Sequence, residues 1–276
     1  MPYFERPHHL KISLEGFNQL YVGRPIEILV IDDGSAPEFA PKIPNDFNLP
    51  IKIVRVLNDV GINPCTQYNL GARLAKGRTL ILSSPEVIHS HSIFDLAPNI
   101  SQIKYDEYYV FSVFGLWRGG LNNKFLKDPT YSNYRKIFNE FSFEFNTDPN
   151  SNENDLFDSP GNWYAHGKFN PSGLNFLSAI NRNLFFDLSG FDERFRNGSG
   201  FDDYEFRRRL RKRAQIRYLD EMRAIHLEHE IVSERQDIGL GINSNERLYR
   251  FSKFWRYKSN DNWGRIEHKV EIELNY

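Results

Sequence analysis

Ile28-Leu29-Val30-Ile31 is an uninterrupted apolar run that stops at Asp32-Asp33-Gly34-Ser35. It shows no alternation of apolar and polar residues, so a strand from Glu27 to Ile31 is buried on both faces, as parallel strands covered by helices are. The flanking patterns agree. Leu10, Leu14, Phe17 and Leu20 share one helical face upstream. Downstream, Ile51, Ile53, Val54 and Val56 predict a second strand, and Asn63 to Ala75 a helix with Leu70 and Leu74 a turn apart. Thr79 to Leu82 predicts a short buried strand, and Ile93, Leu96, Ile100 and Ile103 a further amphipathic helix. Strands alternating with helices predict a doubly wound α/β half over residues 1–115. Before its first loop, Pro2 to Arg6, only Met1 stands, so the apolar run of a leading strand is expected to be truncated.

The texture changes over 116–162, read as a loop excursion across a cleft. Within it Asn146 to Asp155 is too polar to bury a helix or strand face. Order resumes over 163–276 with Trp163-Tyr164-Ala165-His166 and a buried strand at Phe176 to Ile180. A helix starts near Asp203 with Phe206 and Leu210 inward, and another runs from Asn245 to Trp255. The whole is read as one domain of two halves.

At 276 residues the chain can bury one sizeable core. Its net charge of -1 gives no electrostatic case for nucleic acid. Arg207 to Arg213 is basic but shares its helix with Phe206, Leu210 and Ala214, which reads as a solvated face, with a phosphate-bearing acceptor or lipid surface as the second option. The single cysteine, Cys65, rules out an internal disulfide and fits a reducing compartment. No apolar run approaches the roughly 20 residues that span a bilayer. The expected location is cytoplasmic, with membrane-peripheral as the alternative.

Two segments carry chemistry. Gly198 and Gly200 let a loop bend tightly before Asp202-Asp203 opens a helix, whose dipole favours ionised carboxylates. The plainer account is that Asp202 caps that helix. Asp32-Asp33-Gly34-Ser35 ends a parallel strand, where open α/β sheets bind nucleotides, and it also reads as an ordinary turn.

Taken in order, these motifs resemble the GT-A glycosyltransferases of family 2, and the later half also resembles the C-terminal domain of the β-1,4-galactosyltransferases. The matching residues are Pro2-Tyr3-Phe4-Glu5-Arg6, Ile31 to Ser35, Gly61-Ile62-Asn63-Pro64 with Asn69-Leu70-Gly71 and Ala75-Lys76-Gly77, and Ser199 to Tyr204. The resemblance implies a GT-A α/β fold with a central, mostly parallel sheet flanked by helices. It implies an inverting transfer of sugar from a nucleotide-sugar donor, a UDP-sugar by preference, to a hydroxyl of a glycan or other acceptor. Pro2, Phe4, Arg6, Asp32, Asp33 and Asn63 are the implied nucleotide contacts, with Asp33 ahead of Asp32. Asp202 is the implied base and Asp203 its neighbour. Trp163, Tyr164, His166 and Gly200 are the implied sugar or acceptor contacts, although Trp163 equally suits the core.

The chain departs from the family at the metal motif. Where Asp-x-Asp is expected, Ser83-Ser84-Pro85-Glu86 stands, with His89 and His91 just beyond. Glu86 takes the place of the last aspartate and His226 that of the metal-binding histidine, with His229 its alternate. The implied cofactor is Mn²⁺ or Mg²⁺. A silent nucleotide- or carbohydrate-binding protein of the same fold is the competing class. A glycoside hydrolase, which also uses two carboxylates, ranks last because it has no use for a nucleotide loop.

Overall fold

The structure, a computed structural model, describes residues 1–56, 63–116, 120–141, 161–229, 242–252, 263–264 and 270–275. The Gly61-Ile62 part of the helix motif, the polar stretch Asn146 to Asp155 and the end of the tail helix at Trp255 lie outside these residues.

Strand β1 (Pro2–Tyr3) leads into helix α1 (Pro7–Leu20), which starts on Pro7, where a missing N–H costs nothing. Its buried face carries Leu10, Leu14 and Phe17 as the spacing predicts. Strand β2 (Ile28–Asp32), strand β3 (Ile51–Val56), helix α2 (Cys65–Leu74) and strand β4 (Thr79–Leu82) follow within a residue or two of expectation. Strand β1 pairs parallel to β2 and β2 parallel to β3, while β10 (Val270–Asn275) closes this four-stranded sheet antiparallel to β3.

A six-stranded sheet forms the second layer. It comprises β4, β5 (Val87–Ile88), β6 (Glu107–Leu116), β7 (Gly161–Ala165), β8 (Ser178–Asn181) and β9 (Gln215–His226). Here, among the described residues, parallel pairing is confined to β6 with β9, and the pairs of β4 with β8, β6 with β7 and β8, and β5 with β9 are antiparallel. The mostly parallel character is thus a property of the four-stranded sheet. Among the described residues one apolar cluster runs from Leu10 and Val30 to Val110, Phe185 and Phe206, a second gathers around Phe114, Phe125 and Tyr134, and a small third joins Ile31, Val54 and Leu70.

The amphipathic helix expected from Ile93 to Ile103 is instead helix α3 (Ile93–Leu96) followed by a separate 3₁₀ turn at Ile100–Gln102. Pro98 stands between them, lacks an N–H and disfavours helix in the residue before it. The excursion expected over 116–162 contains helices α4 (Gly120–Lys127) and α5 (Tyr131–Phe141). Tyr131, Tyr134, Ile137 and Phe138 bury one stripe of α5. The start of α5 is anchored where Glu15 of α1 accepts from the Tyr131 backbone N–H at 2.8 Å. The later half continues with α6 (Arg182–Asp187), α7 (Asp202–Leu210) and α8 (Ile242–Ser252).

Where β2 and β4 face each other, a cavity of about 560 Å³ is lined by Met1, Leu29, Ala72, Leu80, Leu82 and Ile93. Among the described residues, no helix is long and apolar enough to cross a membrane.

Candidate active site

A second cleft, of about 360 Å³, collects the chemistry-bearing residues of both halves. Pro2, Tyr3, Phe4, Arg6 and Asp33 line it from the first sheet, and Asn63, Gln67 and Tyr68 from the start of α2. Ser84 and Glu86, Phe176, Ser199, Gly200, His226 and His229 complete it.

Sheet register brings Glu86 to His226. Strand β5 starts at Val87, whose partner across the antiparallel pair is His226, the last residue of β9. The Leu227 N–H then donates to the Glu86 carbonyl at 2.9 Å. As a result Glu86 Oε1 lies 3.9 Å from His226 Nε2 and 3.5 Å from His229 Nε2. Glu86 and His226 are both buried, yet among the described residues Glu86 Oε2 and His226 Nδ1 have no hydrogen-bond partner. One ligand atom from each of Glu86, His226 and His229 lies within 4.8 Å of the others. Ligands held at roughly 2 Å from an ion stand about 3–4 Å apart, so a small inward adjustment completes a three-ligand site. Two orphaned polar atoms in such a pocket are the mark of groups built for a ligand. Burial alone raises the Glu86 carboxyl, but Arg6 and the two imidazoles hold it well below the usual range. His226 is pushed down to about 3 by burial and is therefore neutral, the form in which imidazole ligates.

The residues expected to contact nucleotide divide. Phe4, Arg6 and Asp33 face the cleft. Asp32 does not: it is fully buried, and its Oδ1 accepts from the Ser35 N–H at 3.1 Å and the Ser35 hydroxyl at 2.6 Å. Its other oxygen is 3.8 Å from Arg55. Asp32 therefore fastens the turn that presents Asp33, because successive strand residues point to opposite faces. Asn63 lines the cleft but spends its amide internally. It donates to Asp202 Oδ1 at 2.7 Å and accepts from the Cys65 N–H at 3.0 Å.

The acidic pair sits behind the Ser199–Gly200 edge. Gly200 and Phe201 both adopt left-handed backbone, at φ 66, turning the loop sharply into α7. The Asn245 amide of α8 donates to the carbonyls of Phe195 at 3.0 Å and Gly200 at 2.8 Å, clamping that loop. Asp202 is buried and tied to Asn63, whereas Asp203 is half-buried. Burial raises both carboxyls. That of Asp202 is partly offset by the Asn63 hydrogen bond, and that of Asp203 reaches about 7 with the Asp202 charge adding to the effect.

Of the expected sugar contacts, Gly200 lines the cleft and Trp163 does not. Trp163 is packed edge-on against Phe114 at 5.1 Å, inside a cluster with Tyr131, Tyr134 and Ile225. His166 belongs to a turn, accepting from the Lys168 N–H at 3.0 Å, with Asp220 at 3.5 Å. Tyr164, on the opposite face of β7, lays its ring 5.0 Å from that of His226 and 4.8 Å from Phe176. It braces the metal-type histidine from behind. The basic run divides: Arg211, Lys212 and Arg213 are exposed, as a solvated face requires, while Arg207 and Arg209 turn inward. Arg209 pairs with buried Glu205 at 2.7 Å and donates to the Gly190 carbonyl at 2.9 Å, while Arg207 donates to the Ser172 carbonyl.

Sequence reasoning missed Tyr68, Gln67 and Phe176 in the lining and Asn245 in the clamp. Aromatic and amide side chains with no motif around them carried no signal. His229 was an alternate to His226 and stands beside it.

The profile of the family described as "Glycosyltransferase like family 2" matches residues 14–229. No curated protein matches the chain in sequence. Among solved structures, S. aureus TarS is similar over 92% of this chain and 43% of its own, with 14% identity and a TM-score of 0.52. The mannosyltransferase PcManGT from Pyrobaculum calidifontis, solved with GDP-Man and Mn²⁺, is similar over 94% of this chain and 63% of its own, with 16% identity and a TM-score of 0.47. The chain thus spans under two-thirds of each. With the family profile matched across both halves and the strand-to-cleft arrangement in place, the chain belongs to the glycosyltransferase-like family 2 and has the GT-A fold.

Proposed function

We propose that this chain is an inverting glycosyltransferase that moves a sugar from a nucleotide-sugar donor, a UDP-sugar by preference, to an acceptor hydroxyl. One observation carries the reading. A nucleotide-type loop (Phe4, Asp33) and a carboxylate–imidazole cluster (Glu86, His226, His229) line one cleft, and Asn63 of the same lining donates to Asp202, the first of the acidic pair Asp202–Asp203 that follows the cleft residue Gly200.

The base and ribose pack against Phe4 and hydrogen-bond to Asp33. Glu86, His226 and His229 would hold a divalent ion, whose charge when bound offsets the negative charge growing on the leaving diphosphate. A set with two imidazoles suits Mn²⁺ better than Mg²⁺. The acidic pair supplies the base. Asp203 is the better acceptor of the two: it is more accessible, its pKa of about 7 matches a working base, and among the described residues no side-chain amide occupies its oxygens as Asn63 occupies Asp202. Asp203 removes the hydroxyl proton as the acceptor oxygen bonds to the anomeric carbon. The bond from that carbon to the diphosphate oxygen breaks on the opposite face, inverting the centre.

A donor screen by thermal shift with Mn²⁺ tests this directly. A cognate UDP-sugar at 100 times its dissociation constant adds about 2.7 kcal/mol of stability. Asp33→Ala should abolish that shift, and Glu86→Gln should remove its Mn²⁺ dependence. If no nucleotide-sugar stabilises the wild type, the donor assignment fails. If donors bind but no sugar is released or transferred, the protein is a binding module of the same fold.

A further inference from the structure

The carboxylate of the Glu86–His226–His229 cluster already has a cation on it. Arg6, the residue before α1, donates from Nη1 to Glu86 Oε1 at 3.0 Å. That oxygen is the one that faces both histidines, at 3.5 and 3.9 Å. The other Glu86 oxygen is buried and, among the described residues, has no hydrogen-bond partner. The guanidinium therefore sits on the atom a metal ion would need, and the ion pair is nearly dry, with the two side chains 18% and 8% exposed. In such surroundings two positive charges beside one carboxylate repel strongly, so guanidinium and ion exclude one another. Arg6 also lines the cleft itself. A planar guanidinium with five N–H groups suits phosphate oxygens as well as it suits a carboxylate.

We infer that Arg6 is an exchangeable internal cation. It neutralises Glu86 while the cleft lacks metal and nucleotide, and it leaves Glu86 for the diphosphate when metal and nucleotide enter together. This rests on the reading of Glu86, His226 and His229 as metal ligands and adds to it a coupling between two ligands. Metal alone has to displace Arg6, which has nowhere equally good to go. A diphosphate offers Arg6 a new partner and clears Glu86, so each ligand strengthens the other, reciprocally.

The test is Mn²⁺ binding, measured by electron paramagnetic resonance of the free ion, with and without UDP, on the wild-type chain, Arg6→Gln and Arg6→Lys. Without nucleotide, Arg6→Gln should bind Mn²⁺ at least tenfold more tightly than wild type, because its competitor is gone. Saturating UDP should tighten Mn²⁺ at least tenfold in wild type and much less in Arg6→Gln. Arg6→Lys, which keeps a charge, should stay close to wild type without nucleotide, and this separates competition from a loosened fold. If Arg6→Gln binds Mn²⁺ no more tightly than wild type, while both bind it and Glu86→Gln does not, the exchange is refuted and the metal site stands. If no variant binds Mn²⁺ with or without UDP, the metal reading falls and the exchange with it.

Discussion

Asp202 and Asp203 are adjacent in the chain but meet different surroundings. The helix that begins there turns successive side chains by about 100°, so one is buried against Asn63 while the other stays half-exposed. Asp203→Asn should therefore lower turnover by about 10² to 10⁴, the usual worth of a general base, while leaving UDP affinity unchanged. Asp202→Asn keeps an oxygen for the Asn63 amide and should remain within about tenfold of wild type. Steady-state kinetics of the two variants decide it: a dead Asp202→Asn beside a working Asp203→Asn exchanges the roles. Because the base must be deprotonated, kcat/KM of the wild type should rise with pH and level off above about 7. That rise should be absent from the residual activity of Asp203→Asn.

At the scale of elements, one of the contacts that tie the halves together is a turn held by Asn69. Gly190 follows α6 at φ 62, and a Cβ there would lie 2.2 Å from Asn69 Oδ1 of α2. The same Asn69 oxygen accepts from the Phe191 N–H at 2.8 Å, and its amide donates to the Phe191 carbonyl at 2.9 Å. Gly190→Ala must bear both the left-handed backbone and the displaced Asn69. About 2 to 4 kcal/mol of destabilisation is expected, or a melting temperature lower by several degrees. An unchanged melting temperature would show that the turn relaxes freely. This junction was half legible in the sequence. Asn69 stands in a motif of the sequence, but its pairing with the turn at Gly190-Phe191, more than a hundred residues away, is not written there. By contrast, β2 and α1 were legible outright, since each is specified by its own apolar period.

For the molecule as a whole, burial sets the acid limit. His89 is held neutral, with its pKa pushed down to about 3, inside a cluster with Tyr21 and Phe17, and His9 is pushed down to about 4. In the unfolded chain these imidazoles bind protons near pH 6.5. The unfolded state thus holds more protons below that pH, and stability falls as pH falls through 6.5 and continues to fall toward the folded pKa. Asp203, raised to about 7, works in the opposite sense between 3.8 and 7, because there the folded state holds the extra proton. Each such imidazole contributes about 1.4 kcal/mol per pH unit. Relative to wild type, His89→Gln should gain about that much for each unit below 6.5, read from urea melts at pH 7, 6 and 5. Parallel pH profiles for the two proteins would mean that His89 is protonated in the folded state.

By itself the sequence determined the strands and helices whose apolar periods are complete, the nucleotide-type loop ending at Asp33, and the positions of Glu86 and the Asp202–Asp203 pair. These are local facts, written in spacing and in turn residues such as Gly34 and Gly200. The tertiary structure decided which of those residues share a cleft and what each one does there. The register of β5 on β9 sets Glu86 beside His226, and the pleat turns Asp32 inward while Asp33 faces out. The packing of Trp163 against Phe114 removes it from the site, and only the folded chain sets Arg6 on Glu86. Such pairings depend on which surfaces meet, and no spacing along the chain encodes the distance between residues that far apart.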